Sequence, residues 1–214
     1  MELVVTELPR SRIKEALDLL CREFLDDPAL VSWNLSAETR DKINHIILGD
    51  AIRFYQRFGT VWVALLDKEI VGVAICVPPD LGAKRSLDYR LRNRLRGYIT
   101  RARLVSVAQD ASRRLFEGYV KAETIHPKEP HWYPMFVAVD RRYQNRGYGA
   151  QLLKPMLDDA DRRGLLTFSE SPMPRNHGFF RKLGFTIGAP ADLFRGAPPN
   201  YAMYRPAGSR GGQA

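Results

Sequence analysis

The sequence predicts a single mixed α/β domain, a sheet flanked by helices, on three observations. The 214 residues correspond to one domain at roughly 150 residues each. Strand-like runs of β-branched and aromatic residues alternate with stretches whose apolar residues recur at spacings of three and four. No internal repeat and no linker-like tract divides the chain. The composition, 45% hydrophobic and 27% charged, is that of a globular protein with a real core. No apolar run of about 18 residues occurs, which excludes a spanning helix and leaves no membrane partner expected. The opening Met1-Glu2-Leu3-Val4-Val5-Thr6-Glu7 lacks the basic-then-apolar layout of a signal peptide, so a cytoplasmic location is expected.

Each element follows from local patterning. Leu3–Glu7 reads as a short strand. Ile13, Leu17, Leu20, Cys21 and Phe24 then share one helical face, and Pro28 ends that helix. Ser36 is placed to cap a second helix, whose inner face carries Ile43, Ile46, Ile47, Ala51, Phe54, Tyr55 and Phe58 and whose stop is Gly59. Thr60–Leu66 and Ile70–Val77, joined by Asp67-Lys68-Glu69, read as a hairpin closed by Pro78-Pro79. A basic helical region follows. His131–Val139 is another strand, rich in aromatic and β-branched residues. The loop Asp140–Arg146 runs into Gly147-Tyr148-Gly149 and a helix that stops at Gly164, with Pro155 expected to kink it in a purely structural role. A buried strand, Leu165–Ser169, follows at once. Asn176–Leu183 makes a short helix stopped by Gly184, and Phe185–Ile187 and Tyr201–Tyr204 are the last strands. The expected organisation is one domain over 1–206, with a basic helical insertion around 80–120, and a disordered tail over 207–214.

The net charge of +9 and the pI of about 9.8 point to an anionic ligand or surface. From Lys84 to Arg114 ten Lys or Arg stand against Asp88 and Asp110, so this stretch alone carries +8. Within it Leu87, Leu91, Leu95, Tyr98, Ala102 and Val105 form one stripe at about 100° per residue. The plain reading is a core-facing seam with a solvated basic flank. The sharper alternative is a docking face for nucleic acid or an acidic partner, which no helix-turn-helix or glycine-aromatic recognition motif supports. Cys21 and Cys76 lie far apart in apolar patterns and read as buried thiols rather than a disulfide. Together with His45, His126, His131 and His177 they show no zinc-ligand spacing, so no metal is expected. A Gly-x-Ser-x-Gly nucleophile elbow is also absent.

The most informative segment is Val137-Ala138-Val139-Asp140-Arg141-Arg142-Tyr143-Gln144-Asn145-Arg146-Gly147-Tyr148-Gly149-Ala150. A strand ends, a loop turns, and two glycines open a helix. The first N–H groups of a helix have no internal partner and can hold an anion. Glycine lets a bulky pyrophosphate approach the main chain, and Arg141, Arg142 and Arg146 add charge nearby. A Walker loop would need a Gly-Lys-Ser/Thr ending, which is missing. A dinucleotide fingerprint would need a third glycine where Leu152 stands, and would open directly off the strand. Gln144-x-x-Gly147-x-Gly149 instead fits the pattern Gln/Arg-x-x-Gly-x-Gly/Ala at every position.

That loop resembles the acyl-CoA loop of the GCN5-related N-acetyltransferases (GNAT). Asn176-His177-Gly178-Phe179-Phe180-Arg181-Lys182-Leu183-Gly184-Phe185 resembles the family's second element, an Asn, a short helix with an aromatic pair, then Gly-Phe entering the next strand. His131-Trp132-Tyr133, Leu152-Leu153-Lys154-Pro155, Glu170, and Phe24-x-Asp26-Asp27-Pro28 followed by Trp33 are similar to the puromycin N-acetyltransferase-like branch. The likeness spans about Phe24 to Tyr204 and explains the basic stretch least.

The resemblance implies a mostly antiparallel mixed sheet, flanked by helices, whose fourth and fifth strands are parallel and splay apart around the donor. It implies an acyl-CoA-dependent N-acetyltransferase that uses acetyl-CoA as cosubstrate, with a small-molecule amine attacking the thioester directly in a ternary complex. Main-chain groups of Val137 and Val139 would hold the pantetheine, and an amide near Ala138 or Val139 would polarise the thioester carbonyl. Arg142, Gln144, Asn145, Arg146, Gly147, Tyr148, Gly149 and Ala150 would hold the pyrophosphate, with Asn176 and Phe180 beside the pantetheine. Glu170 is the first candidate for the base that deprotonates the ammonium, and Asp26 and Asp27 are weaker ones. Asp27, Trp33, Tyr133 and Glu170 would contact the acceptor, in a pocket walled by Trp33-Asn34-Leu35 and the loop Arg195–Asn200.

Phe180 stands where many members have Tyr as general acid, and it cannot donate a proton. Water, Tyr133 or Tyr201 would then protonate the thiolate. A homodimer is compatible with this reading. The alternatives are a protein N-terminal or lysine acetyltransferase, or a catalytically weak acyl-CoA-binding module that docks an acidic partner or nucleic acid through its basic helix.

Overall fold

The computed structural model describes residues 2–81, 87–193 and 196–209. Seven strands form one sheet: β1 (Leu3–Glu7), β2 (Thr60–Leu66), β3 (Glu69–Val77), β4 (His131–Val139), β5 (Leu166–Ser171), β6 (Thr186–Ala191) and β7 (Asn200–Arg205). Their order is β1-β2-β3-β4-β5-β7-β6, and β4–β5 is the parallel pair among antiparallel neighbours. The helices are α1 (Ile13–Glu23), α2 (Pro28–Val31), α3 (Ala37–Phe58), α4 (Leu87–Val107), α5 (Gln109–Ile125), α6 (Tyr148–Arg163) and α7 (His177–Lys182). This is the mixed sheet expected, with a parallel fourth and fifth strand.

Alternation in the strands sorts the core into two layers. Val63, Val73 and Ile75 pack on one face with Leu17, Leu20 and Ile52 of α1 and α3. Ala64, Val71, Ala74 and Cys76 pack on the other with Leu152, Leu153 and Met156 of α6 and with Phe180 and Phe185. A third cluster, Leu30, Trp33, Ile43 and Ile46 with Leu104 and Ala111, joins α2 and α3 to α4 and α5. Cys21 and Cys76 are free, buried thiols, and burial pushes Cys21 up to about 12.

The caps behave as the local chemistry dictates. Ser36 Oγ accepts the Thr39 N–H at the start of α3, and Gly164, at φ 66°, ends α6 in the left-handed conformation. Pro155 lies exposed inside α6.

Four differences from the sequence expectation have physical causes. Pro28 does not merely end α1; it occupies the first turn of α2, where its missing N–H costs nothing, and Asp27 caps that turn by accepting the Ala29 N–H at 2.9 Å. Strand β5 runs on to Ser171 because β7 pairs with it throughout, which puts Glu170 inside a strand. The basic region is two helices, α4 and α5, and its apolar stripe faces outward, not into the core: Leu91 is 70% and Tyr98 74% exposed. Lys84, where the basic stretch begins, lies outside the described residues, as do 210–214 of the expected tail. The first tail residues, 207–209, are held rather than disordered. The Gly208 N–H donates to Asp161 at 2.8 Å, and the Ser209 carbonyl accepts from Arg205 at 2.9 Å. Gly184 admits this turn, since a Cβ there would lie 2.6 Å from the Ser209 oxygen.

Candidate active site

The site begins where β4 and β5 part. They pair only at His131↔Leu166 and Trp132↔Thr167. The next rung belongs to Pro134, whose carbonyl accepts from Ser169 Oγ at 3.4 Å and so faces β5. Proline has no N–H with which to continue the ladder. Beyond it β4 stays with β3 as far as Val139, and β5 stays with β7 as far as Ser171, so a cleft opens between them.

Asp140 donates its N–H to the Val71 carbonyl at 2.9 Å, and alternation turns Ala138 to the β3 edge as well. Val137 and Val139 therefore face the cleft, as a pantetheine cradle requires. Ala138 is corrected by this geometry: its amide belongs to the β3 ladder, and Val139 is left as the amide facing the cleft.

The loop after β4 is built on Asp140. This carboxylate is 2% exposed and accepts from the Arg142 N–H and from the side chains of Arg142 and Arg22. Those contacts, chiefly the Arg142 hydrogen bond, hold its pKa at about 2. It caps the tight turn Arg141–Tyr143. Gln144 folds back, its Nε2 donating to the Val139 carbonyl at 2.8 Å, and Asn145 (φ 61°) and Gly147 (φ 79°) are left-handed. Gly147 is the N-cap of α6 and supplies no side-chain cap. The first N–H groups, those of Tyr148, Gly149 and Ala150, are thus left for an anion.

The arginines divide differently from the expectation that all three add charge there. Arg142 is tied to Asp140 and to Glu69 at 2.6 Å, and Arg141 lies 3.6 Å from Glu23. Arg146 lies over the Tyr143 ring, 5.5 Å from its centroid, with no carboxylate partner among the described residues. It is the guanidinium at the loop that remains for a phosphate. Gly149 packs on Phe179, whose ring would lie 3.1 Å from an added Cβ. Gly149→Ala should therefore push Phe179 or α6 aside and weaken donor affinity about tenfold, as measured by titration calorimetry with acetyl-CoA.

Across the cleft, Glu170 projects from β5. Tyr133 Oη donates to its Oε1 at 3.0 Å and Asn200 Nδ2 to its Oε2 at 2.6 Å. Burial raises its pKa above the ordinary carboxylate range, against the pull of those two donors. Tyr133 is pushed well above 10 by burial and by the neighbouring carboxylate, so its hydroxyl stays protonated. His126, at the end of α5, sets its ring edge-on to Tyr133 at 4.6 Å and tilted against Phe168 at 4.5 Å.

The other nominated residues fall in varied places. Asn176 Nδ2 donates to Ser171 Oγ at 3.2 Å, on the β5 side of the cleft. Phe180 is core, edge-on to Phe179 and Phe185, which is the reason a phenol would have had to emerge from a packed position. Tyr201 packs on His177 at 4.5 Å. Asp26 pairs with Arg40 at 3.0 Å, and Asp27 is engaged as a cap. Trp33 and Leu35 lie in or against the third cluster, and so do Leu193 and Ala197 from between β6 and β7. Arg195 of that loop lies outside the described residues. Sequence reasoning placed Asn200 only at the end of the pocket loop, not on Glu170, and missed Asp140 as the anchor of the phosphate loop, whose place at a strand end before a tight turn was the available clue. Among the described residues no group of His, Cys, Asp or Glu could hold a metal ion.

The family model described as the Acetyltransferase (GNAT) family matches residues 18–185. The chain belongs to this family. The fold agrees with solved members: a histone acetyltransferase HPA2 and related acetyltransferase from Corynebacterium glutamicum (24% identity, TM-score 0.69, covering 97% of each chain), and arylalkylamine N-acetyltransferase 2 from Aedes aegypti (13%, TM-score 0.64, covering 96% of this chain and 99% of that one). A third is the PaiA N-acetyltransferase from Thermoplasma acidophilum in complex with coenzyme A (10%, TM-score 0.58, covering 96% and 99%). Among curated relatives, this GNAT chain is 22% identical over 207 residues to a probable serine/threonine-protein kinase of Dictyostelium discoideum, covering 87% of this chain and 21% of the relative. It is 30% identical over 66 residues to an uncharacterized N-acetyltransferase of Schizosaccharomyces pombe, covering 30% and 27%. The chain thus spans about a quarter or less of the length of these two relatives. Of these solved structures, the PaiA N-acetyltransferase holds coenzyme A, and acetyl-CoA is the cosubstrate whose fit to this cleft can be asked. Val137, Val139, the α6 N–H groups and Arg146 are the residues of this chain that fit it.

Proposed function

We propose that this GNAT chain transfers an acetyl group from acetyl-CoA to the amine of a small molecule, with Glu170 as the base. The observation that carries this reading is the carboxyl of Glu170, raised in pKa by burial and held by Tyr133 and Asn200 at the mouth of the β4–β5 cleft. The α6 N–H groups and Arg146 bind the pyrophosphate, and Val137 and Val139 the pantetheine, so the thioester lies in the opening between the strands. Glu170 takes one proton from the arriving ammonium. The neutral nitrogen adds to the thioester carbonyl, whose oxygen is stabilised by the Val139 amide. As the C–S bond breaks, Tyr133 protonates the thiolate and recovers its proton from Glu170. The ammonium loses two protons in all: the first ends on coenzyme A through this relay, and the second leaves the nitrogen for water as the intermediate collapses, so no proton is required of Phe180. The reading places the chain in the puromycin N-acetyltransferase-like branch, on the His131-Trp132-Tyr133, Glu170 and Asp26-Asp27-Pro28 matches.

The test has two stages. Acetyl-CoA at 100 times its Kd should raise stability by about 2.7 kcal/mol in a thermal melt. A thiol-release assay across a panel of primary amines should then show turnover with small amines, and none with peptide N-termini or lysine peptides. Turnover confined to peptides would replace the small-molecule acceptor by a protein one.

A further inference from the structure

The face of α4 turned to solvent is an apolar one. Measured from Leu91 at about 100° per residue, Leu95, Tyr98, Ala102 and Val105 all fall within about 40°. Leu91, Leu95, Tyr98 and Val105 are 70%, 56%, 74% and 45% exposed. The opposite side, packed on α3, carries Tyr89, Leu104 and Val107 together with Asn93, Arg96 and Thr100, Arg96 lying 3.3 Å from Asp50 and stacked on Phe54 at 4.2 Å. A globular helix normally keeps one apolar face, the buried one, so this second apolar face is unaccounted for by the core. The apolar face does not stop at α4, since Arg101 lies over the Phe116 ring at 4.8 Å, and Phe116 and Val120 of α5 are each 51% exposed.

Arginines border this line on both sides. Arg94 and Arg101 lie about 60–80° to one side of Leu91, and Arg103 about 120° to the other. We propose that α4, with the adjoining Phe116 and Val120 of α5, is a docking face for an anionic lipid surface. The charge decides the occupant. A second copy of this face would set arginine flank against arginine flank, which is repulsive. A flat anionic surface satisfies both flanks at once: the apolar line enters below the headgroups and the arginines reach the phosphates on either side of it. This placement is independent of the acetyl-transfer reading.

Co-sedimentation of the full chain with phosphatidylcholine vesicles, with and without phosphatidylglycerol, tests it. Binding is expected to the phosphatidylglycerol vesicles and to fall with added salt. Arg94→Glu with Arg101→Glu should reduce that binding at least about tenfold, each arginine being worth about 1 kcal/mol near such a surface. Leu91→Ser with Leu95→Ser should reduce it comparably, while Val4→Ser, on exposed β1, leaves it unchanged. All these positions are exposed, so an unchanged thermal melt checks that the variants fold. Absence of sedimentation with phosphatidylglycerol vesicles overturns the proposal. So does equal binding to phosphatidylcholine alone, or a change of oligomeric state in the Leu91/Leu95 variant, which would make the face an interface between copies. Specific capture of an acidic protein through the same residues without vesicle binding would overturn it in favour of that partner.

Discussion

Glu170→Gln is expected to lower the turnover of acetyl transfer about a hundredfold while leaving acetyl-CoA affinity within about twofold. The substitution keeps the shape of the side chain and an acceptor for the Tyr133 hydroxyl, but removes the group that takes the proton. In the proposed mechanism the donor lies elsewhere, along Val137, Val139 and the α6 N–H groups, which is why its affinity should survive. The wild-type rate has a predictable pH limb. Burial raises the Glu170 pKa above its ordinary value, with the Tyr133 and Asn200 hydrogen bonds opposing it. The base is therefore lost as pH falls through this raised value, and activity should collapse at a higher pH than a solvent-exposed glutamate would give.

The stability linkage runs the other way. A carboxyl whose folded pKa is raised binds more protons folded than unfolded, so its ionisation lowers stability as pH rises from the unfolded to the folded value. The Gln variant should consequently melt no lower than wild type at neutral pH. A variant with normal turnover would remove Glu170 from the mechanism, and one that melts much lower would mark it as structural.

The second large effect is on stability. Asp161→Asn should cost about 3 kcal/mol, because it strands a buried cation. In Tm this is roughly 6–12 °C for a domain of this size. Arg205 is 4% exposed, and its guanidinium meets Asp161 twice, at 2.6 and 2.8 Å, as well as the carbonyls of Leu183 and Ser209. It ties β7 to α6, to the turn after α7 and to the chain beyond β7. The Arg205 guanidinium, first among the causes, lowers the Asp161 pKa. A lowered folded pKa contributes stability above the unfolded carboxylate value of about 3.9, and that stability is lost as pH falls through the folded value. The gap between wild type and variant should therefore be full at neutral pH and shrink in acid, which chemical denaturation at pH 7 and below pH 4 would measure.

The strands were legible because each is a local pattern bounded by a turn. β1, β2 and β4 have the bounds that alternation and their flanking residues predict. The α3 cap at Ser36 and the α6 stop at Gly164 follow from single side chains or their absence. The phosphate loop was legible for the same reason, since glycine at 147 and 149 serves a backbone need that no neighbour supplies. Pro134 was legible in principle, a proline in mid-strand, but its consequence depended on which edge it faced.

What the sequence by itself determined is therefore the order of the strands, the open N-terminus of α6 and the family. These rest on interactions within a few residues or on spacing along one chain. Only the tertiary structure decided that Asn200 and Tyr133 hold Glu170, that Arg142 is engaged by Asp140 and Glu69 while Arg146 has no carboxylate partner among the described residues, and that the stripe of α4 faces out. Each of these depends on which distant side chain arrives beside which. A helical period reveals that a stripe exists, but the side on which the remaining chain packs decides whether it is buried.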